Sequence, residues 1–289
     1  MLIVDSHPHV MTLDTARYPL SPVGGTQSAW SRGVSLTGDE FAAMMAGAGV
    51  GAATLVQAST VYGYDNSYLA DTVAAGRHRF AGVCSVDPVA DDTAARLEHW
   101  IRGRGLHGVR LFATSAGAGT LFSLDDPRLA SFWATAARLG VPVDVQVRYP
   151  GIDAVRRVLE RHPGIPLILD HLSTPPLADG PPYQAAAGLF ELARFGRLHL
   201  KFTSRNLDDA GQGRSTVTAF LGQLVERFGP ERVMWCSNFP NTDGKAPATA
   251  ATYAGLVDRV VKELAPFGAG VQRALLGETA LSLYPGLAG

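Results

Sequence analysis

The chain has 289 residues, 46% hydrophobic and 18% charged, with a mean hydropathy of +0.08, which is enough to bury a sizeable core and too apolar for disorder. Its formal net charge of −1, with both signs interspersed, leaves no electrostatic footprint for nucleic acid or an anionic membrane. No apolar run reaches the width of a bilayer, the N-terminal MLIVDSHPHV lacks the basic and long apolar regions of a signal peptide, and two cysteines make no disulfide framework, so a cytoplasmic protein is expected.

Along the chain, short β-branched runs alternate with amphipathic helical stretches. Strands are predicted over residues 2–5, 53–57, 80–86, 108–112, 141–147, 166–171, 198–202 and 232–237, apolar runs of the kind a parallel sheet buries on both faces. The first run ends in Asp5-Ser6-His7-Pro8-His9. Residues two apart on a strand share a side, so His7 and His9 converge and can hold one divalent cation. The alternative at this point is a pair of hydrogen-bonded histidines in a strand-end loop. Residues 11–36 form the longest stretch without periodicity, and a loop of that length is usually functional or flexible. Thr37-Gly-Asp-Glu40 has the spacing of a capping box opening a helix. Trp30, Tyr62, Tyr64 and Phe112 are candidates for a pocket wall, with a core role as the competing reading.

The fourth run carries Arg110. The fifth alternates Asp144, Gln146 and Arg148 against Val143, Val145 and Val147, giving one polar face. Asp126-Pro127 opens the helix before it and Gly140 closes that helix. The sixth run ends in Asp170-His171, which offers a third imidazole. The seventh carries Lys201, with Arg205 beyond it. Arg110, Arg148, Lys201 and Arg205 together suit a carboxylate-bearing ligand, although each alone is as well explained as a solvated or salt-bridged end. The eighth ends in Ser237-Asn238-Phe239-Pro240. Cys236 beside it, like Cys84, reads as a small buried strand residue rather than a nucleophile. Eight β/α units at about 36 residues each fit one (β/α)8 TIM barrel over residues 1–289. An open doubly wound sheet is the rival, and the missing glycine-rich turn after the first strand weakens it. In a barrel the chemistry lies at the C-terminal strand ends.

Those strand ends carry a resemblance. Asp5-Ser6-His7-Pro8-His9 is similar to the D-x-H-x-H first-strand motif of the TIM-barrel amidohydrolases known as the amidohydrolase 2 group. DTARYPL at 14–20, VQASTVYGYDN at 56–66, Gly108-Val109-Arg110, Leu169-Asp170-His171-Leu172 and LGETALSLY at 276–284 resemble segments of its lactonase-like branch, which includes 2-pyrone-4,6-dicarboxylate lactonase and sugar-lactone hydrolases. The resemblance spans nearly the whole chain. It implies a hydrolase acting on a small, carboxylated lactone or related cyclic ester. It implies that His7, His9 and His171 hold zinc or manganese, or bind substrate directly as in metal-free members. It further implies that Arg110, with Gln146, Arg148, Lys201 and Tyr64, contacts an anionic small-molecule substrate. Nucleic acid and membrane are not expected as partners, and a homo-oligomer stays open.

The chain departs from the pattern at the eighth strand. The group usually ends it S-D-[FW]-P, where the aspartate is the general base, and here Asn238 stands in that place. An amide cannot take up a proton near neutral pH. Three explanations follow. Asp243 supplies the base, or His171 does if no metal claims it, with Asn238 orienting water or substrate. The reaction needs no such base, as for an isomerase, lyase or decarboxylase on the same scaffold. Or the protein is a catalytically impaired ligand-binding relative, by nature or through an engineered aspartate-to-asparagine change.

Overall fold

Each of the eight apolar runs forms a strand. The computed structural model, which describes residues 1–76, 78–115 and 119–288, has β1 (Ile3–Asp5), β2 (Val50–Val56), β3 (Phe80–Ser85), β4 (Gly108–Phe112), β5 (Val143–Gln146), β6 (Leu167–Leu169), β7 (Leu198–Phe202) and β8 (Val233–Trp235). Successive strands pair in parallel and in chain order. Among the described residues β1 and β8 share no ladder. The ring closes there through the Ser6 hydroxyl donating to the Trp235 carbonyl (2.7 Å), the Ser237 N–H donating to Asp5 (2.9 Å) and the His9 N–H donating to the Phe239 carbonyl (2.7 Å).

Helices α1 (Gly38–Gly47), α2 (Ser67–Ala75), α3 (Thr93–Glu98), α4 (Ala130–Leu139), α5 (Ile152–Arg161), α6 (Ala187–Glu191), α7 (Val217–Phe228) and α8 (Ala250–Leu264) follow the strands in turn. The result is a (β/α)8 barrel, as the repeat predicts. The start and stop signals act as expected. Thr37 and Glu40 form a reciprocal capping box on α1, Asp126 accepts the Arg128 N–H ahead of α4 (2.9 Å), and Gly140 ends α4 at a φ of 69°. In α5, Ile152, Val155, Val158 and Leu159 are buried, the i, i+3, i+4 face its sequence presents to the sheet.

Alternation along the strands sorts residues between two cores. Val109, Leu111, Val143, Val145, Leu167, Leu169, Leu198 and Leu200 pack outward with the helices. Val4, Ala52, Val56, Ala81, Val83, Ile168 and Met234 form a second cluster with Tyr284 and Leu287 from the last helical segment. That segment therefore stops the floor of the barrel. The same inward register carries Arg110, Asp144, Asp170 and Lys201 above the floor, all buried.

The stretch 11–36 is anchored at both ends. Met11 and Leu36 exchange backbone hydrogen bonds of 2.9 Å, and the Tyr18 hydroxyl donates to Asp71 (2.6 Å). It runs so close to residue 63 that a Cβ there would lie 2.1 Å from the Ser21 carbonyl oxygen, at a φ of 58°, which makes glycine necessary. No helix among the described residues is long and apolar enough to cross a membrane.

Only β4 and β7 keep the expected limits. β1, β2 and β3 span Ile3–Asp5, Val50–Val56 and Phe80–Ser85 rather than 2–5, 53–57 and 80–86, β5 spans Val143–Gln146 rather than 141–147, β8 spans Val233–Trp235 rather than 232–237, and β6 spans Leu167–Leu169 instead of running from 166 to His171. The last difference shapes the site.

Candidate active site

Asp5, the last residue of β1, is buried and accepts hydrogen bonds from the Ser237 N–H (2.9 Å), the Tyr253 hydroxyl (3.1 Å) and the His7 N–H (3.3 Å). Burial pushes its carboxyl up and these donors oppose the shift. The carboxylate pins β1, β8 and α8 together and bends the chain after it, so His7 and His9 converge although the strand itself has ended. Their ring centroids are 5.1 Å apart. His9 Nδ1 lies 2.8 Å from the Val56 carbonyl oxygen. A carbonyl only accepts, so Nδ1 carries the proton and Nε2 keeps its lone pair. Trp30 stacks on His9 at 5.5 Å and 25°, which brings the 11–36 loop over the site.

After Leu169 the chain turns into the left-handed region for four successive non-glycine residues: His171 (φ 53°), Leu172 (55°), Ser173 (60°) and Thr174 (53°). Each costs about 1 kcal/mol or more. The Asn206 amide donates to the His171 carbonyl (3.0 Å), and so does the Thr174 N–H (2.9 Å). Asn206 is itself fixed by its cap with Thr203. The turn sets His171 4.8 Å from His7, centroid to centroid.

Asp170 is the hub of the barrel interior. Its Oδ2 accepts from Arg110 Nε (2.8 Å), and its Oδ1 lies 3.1 Å from His7 Nδ1 and 3.7 Å from Lys201 Nζ. Lys201 is also ion-paired with Asp144, whose other oxygen accepts from the Tyr284 hydroxyl (3.3 Å). Arg110 also donates to Gln146. Burial opposes charge on Asp170, but facing His7, Arg110 and Lys201 hold its carboxyl well below the usual range. Burial likewise opposes charge on Lys201, and the carboxylates of Asp144 and Asp170 outweigh it. The imidazoles go the other way. Burial lowers His9 to about 3 and His171 to about 4, and it drives His7 well below its ordinary value, so all three are neutral at pH 7.

Three buried imidazole nitrogens here, His7 Nδ1, His7 Nε2 and His171 Nδ1, have no hydrogen-bond partner, and neither has Asp170 Oδ1. His7, Asp170 and His171 each offer a ligand atom within 4.8 Å of the others. Two neutral nitrogens and one carboxylate oxygen fit a divalent cation of the zinc or manganese kind. The expected ligand set was His7, His9 and His171. The cluster found replaces His9 with Asp170, while His9 stays beside it with a free lone pair.

Above the cluster is a cavity of about 390 Å³ lined by His9, His171, Asn238 and Asp243, and by Arg110, Gln146 and Arg148. These expected residues are brought together. Two others are not. Lys201 is fully buried in the network below the cavity, and Tyr64 lines a separate hollow with Trp100 and Phe122. Arg148 is exposed and pairs with no carboxylate among the described residues. The carboxylates at the mouth are taken: Asp208 by Lys245 (2.5 Å) and Arg259 (2.7 Å), and Asp243 by Arg205 (3.7 Å). Asn238, at a φ of 58°, adds no charge. Cys236 is a buried thiol pushed up by burial, which agrees with a packing role.

Asp170 and Asn206 are absent from the expected set. Asp170 was visible only as the neighbour of His171. Asn206 could have been found from the Thr203-x-x-Asn206 spacing.

The sequence matches the family model described as amidohydrolase over residues 4–286. A comparison with curated proteins gives no match. Among solved structures, a probable 2-pyrone-4,6-dicarboxylic acid hydrolase from Acinetobacter baumannii, with citric acid bound, is similar at a TM-score of 0.76 and 17% identity, over 99% of this chain and 100% of that one. An amidohydrolase from Burkholderia multivorans with bound zinc is similar at 0.71 and 26%, over 99% of each. A 2,6-dihydroxybenzoate decarboxylase from Rhizobium is similar at 0.67 and 14%, over 99% of each.

Proposed function

Because the chain belongs to the amidohydrolase family, we propose that it hydrolyses a small carboxylated lactone or related cyclic ester in the cavity above His7, Asp170 and His171. The observation that carries this reading is that two neutral imidazoles, His9 and His171, line one cavity with the exposed guanidinium of Arg148, which pairs with no carboxylate among the described residues. The similar A. baumannii structure, which holds citric acid, supports an anionic occupant.

Arg148 takes the substrate carboxylate through charge-assisted hydrogen bonds. Trp30 and His9 provide a flat wall for the ring. Asn238 donates to and accepts from the attacking water or the ester oxygen. His171 accepts the proton of the water as its oxygen bonds to the acyl carbon. The acyl–oxygen bond then breaks, and the proton passes to the departing alkoxide, leaving a hydroxy acid. Burial holds His171 at about 4, which makes it a weak base for this step. A divalent cation held by His7, Asp170 and His171 would claim the His171 lone pair and, in place of that base, would supply Lewis-acid polarisation of the ester carbonyl.

Asn238 favours a second reading, decarboxylation, in which no water need be deprotonated; a similar fold serves the Rhizobium decarboxylase. Turnover of a panel of carboxylated lactones in ¹⁸O-water separates the two. One solvent oxygen in a ring-opened acid is expected. Release of carbon dioxide without solvent oxygen would overturn hydrolysis. Arg148→Ala should raise KM for a carboxylated lactone by about 10- to 100-fold and leave kcat and the KM for an uncharged lactone nearly unchanged. Equal losses on both substrates would remove Arg148 from carboxylate binding.

A further inference from the structure

The charges inside the barrel balance without a bound ion. Asp144 and Asp170 bring two negative charges and Arg110 and Lys201 two positive ones, all four side chains being buried. Lys201 is the unexpected member. It stands in the middle of β7, between Leu200 and Phe202, where an ammonium survives only when paired. Its Nζ lies 3.7 Å from Asp170 Oδ1, the same oxygen that faces His7 at 3.1 Å and has no hydrogen-bond donor. That oxygen is the single anionic donor in the cluster of His7, Asp170 and His171. Arg110 already occupies the other oxygen at 2.8 Å.

We propose that Lys201 is an internal counter-cation that competes with a divalent metal for Asp170 and so sets the metal affinity of this site low. The proposal rests on the reading of His7, Asp170 and His171 as a cation site. A dication drawn to Asp170 Oδ1 meets two positive charges already committed to that carboxylate, and the second buried acid, Asp144, is held by Lys201 and Tyr284 and is not among the ligand donors found in the described residues. At a separation of a few ångström, a dication and an ammonium repel by at least a tenfold change in affinity even at the dielectric constant of water. The site therefore keeps its charge balance when metal is scarce, and it loads only as free metal rises.

The test is calorimetric titration of the full-length, chelator-stripped protein with zinc chloride. Lys201→Met should bind zinc at least tenfold more tightly than the wild type, and Lys201→Arg should stay close to the wild type. Lys201→Met leaves Asp144 without its partner, so Lys201→Met/Asp144→Asn is carried alongside, and it too should bind more tightly. Adding His7→Ala to the tight-binding variant should abolish the gain. Zinc binding that His7→Ala removes but Lys201→Met does not strengthen would overturn the role of Lys201 and leave the cation site standing. No zinc binding by any of these proteins would overturn both. A gain that survives His7→Ala would place the ion elsewhere and also overturn the proposal.

Discussion

Asp170→Asn is expected to cost about 3–5 kcal/mol of stability, the range found when one partner leaves a buried ion pair, and to abolish turnover. The amide keeps the shape of the side chain but leaves Arg110 and Lys201 with less charge than they need, at positions where water cannot replace it. His7 loses its neighbour at 3.1 Å at the same time. For a chain of this size the melting temperature at pH 7 should fall by about 5–8 °C. The pH dependence gives a second readout. The Asp170 carboxyl is held below its unfolded value, so its stabilisation is complete above about pH 4, the ordinary carboxylate range, and is lost as pH falls further through the lower folded value. The gap between wild type and variant should therefore narrow on acidification. Melting curves between pH 7 and pH 3 decide the matter, and a gap that is absent at pH 7 or widens in acid would refute the hub role.

The second large effect runs toward gain. Asn238→Asp should raise kcat for lactone hydrolysis at least tenfold. A well-placed general base contributes about 10²–10⁴-fold, and part of that is already covered by His171. The substitution suits the site. Asn238 sits at a φ of 58°, a conformation that aspartate shares with asparagine. It lines the cavity with Arg148 and Arg205, which would keep a new carboxylate ionised. Of the existing acids at the mouth, Asp208 is paired with Lys245 and Arg259, and Asp243 faces Arg205 at 3.7 Å. Initial rates on the lactone that the wild type opens give the answer. An unchanged or lower kcat would show that the amide itself is needed as a hydrogen-bond donor, and would shift the balance toward decarboxylation.

Sequence pattern foretold the barrel well because strand alternation and parallel burial are local properties. The ends of β4 and β7 fall where the apolar runs end. The convergence of His7, His9 and His171 followed from the rule that barrel chemistry lies at strand ends. What stayed hidden depends on depth and on distant partners. Lys201 looked like one more cation at the mouth. Only the register of β7 against β6 and β8 places it a layer lower, and only the fold brings Asp144 to it across 57 positions. Arg110 looked free to bind substrate because Asp170 is 60 positions away. The left-handed turn at residues 171–174 contains no glycine to announce it, and the stabilising contact from Asn206 comes from the next β/α unit. Tyr64 fell elsewhere because its position follows the path of a loop rather than a strand.

The seam between β1 and β8 has a consequence for synthesis. Asp5 receives its hydrogen bonds from Ser237 and Tyr253, and Ser6 donates to Trp235, so the first strand meets its partners 229 to 248 positions later. While the chain emerges from the ribosome, β1 can pair with β2, yet its other edge stays open until residues 235–253 have left the exit tunnel. The floor is delayed further, because Tyr284 and Leu287 close it. The nascent barrel thus grows as an unclosed curl with an exposed lumen, and the centre containing His7 and Asp170 is sealed only after the residues that close the seam and the floor have been made.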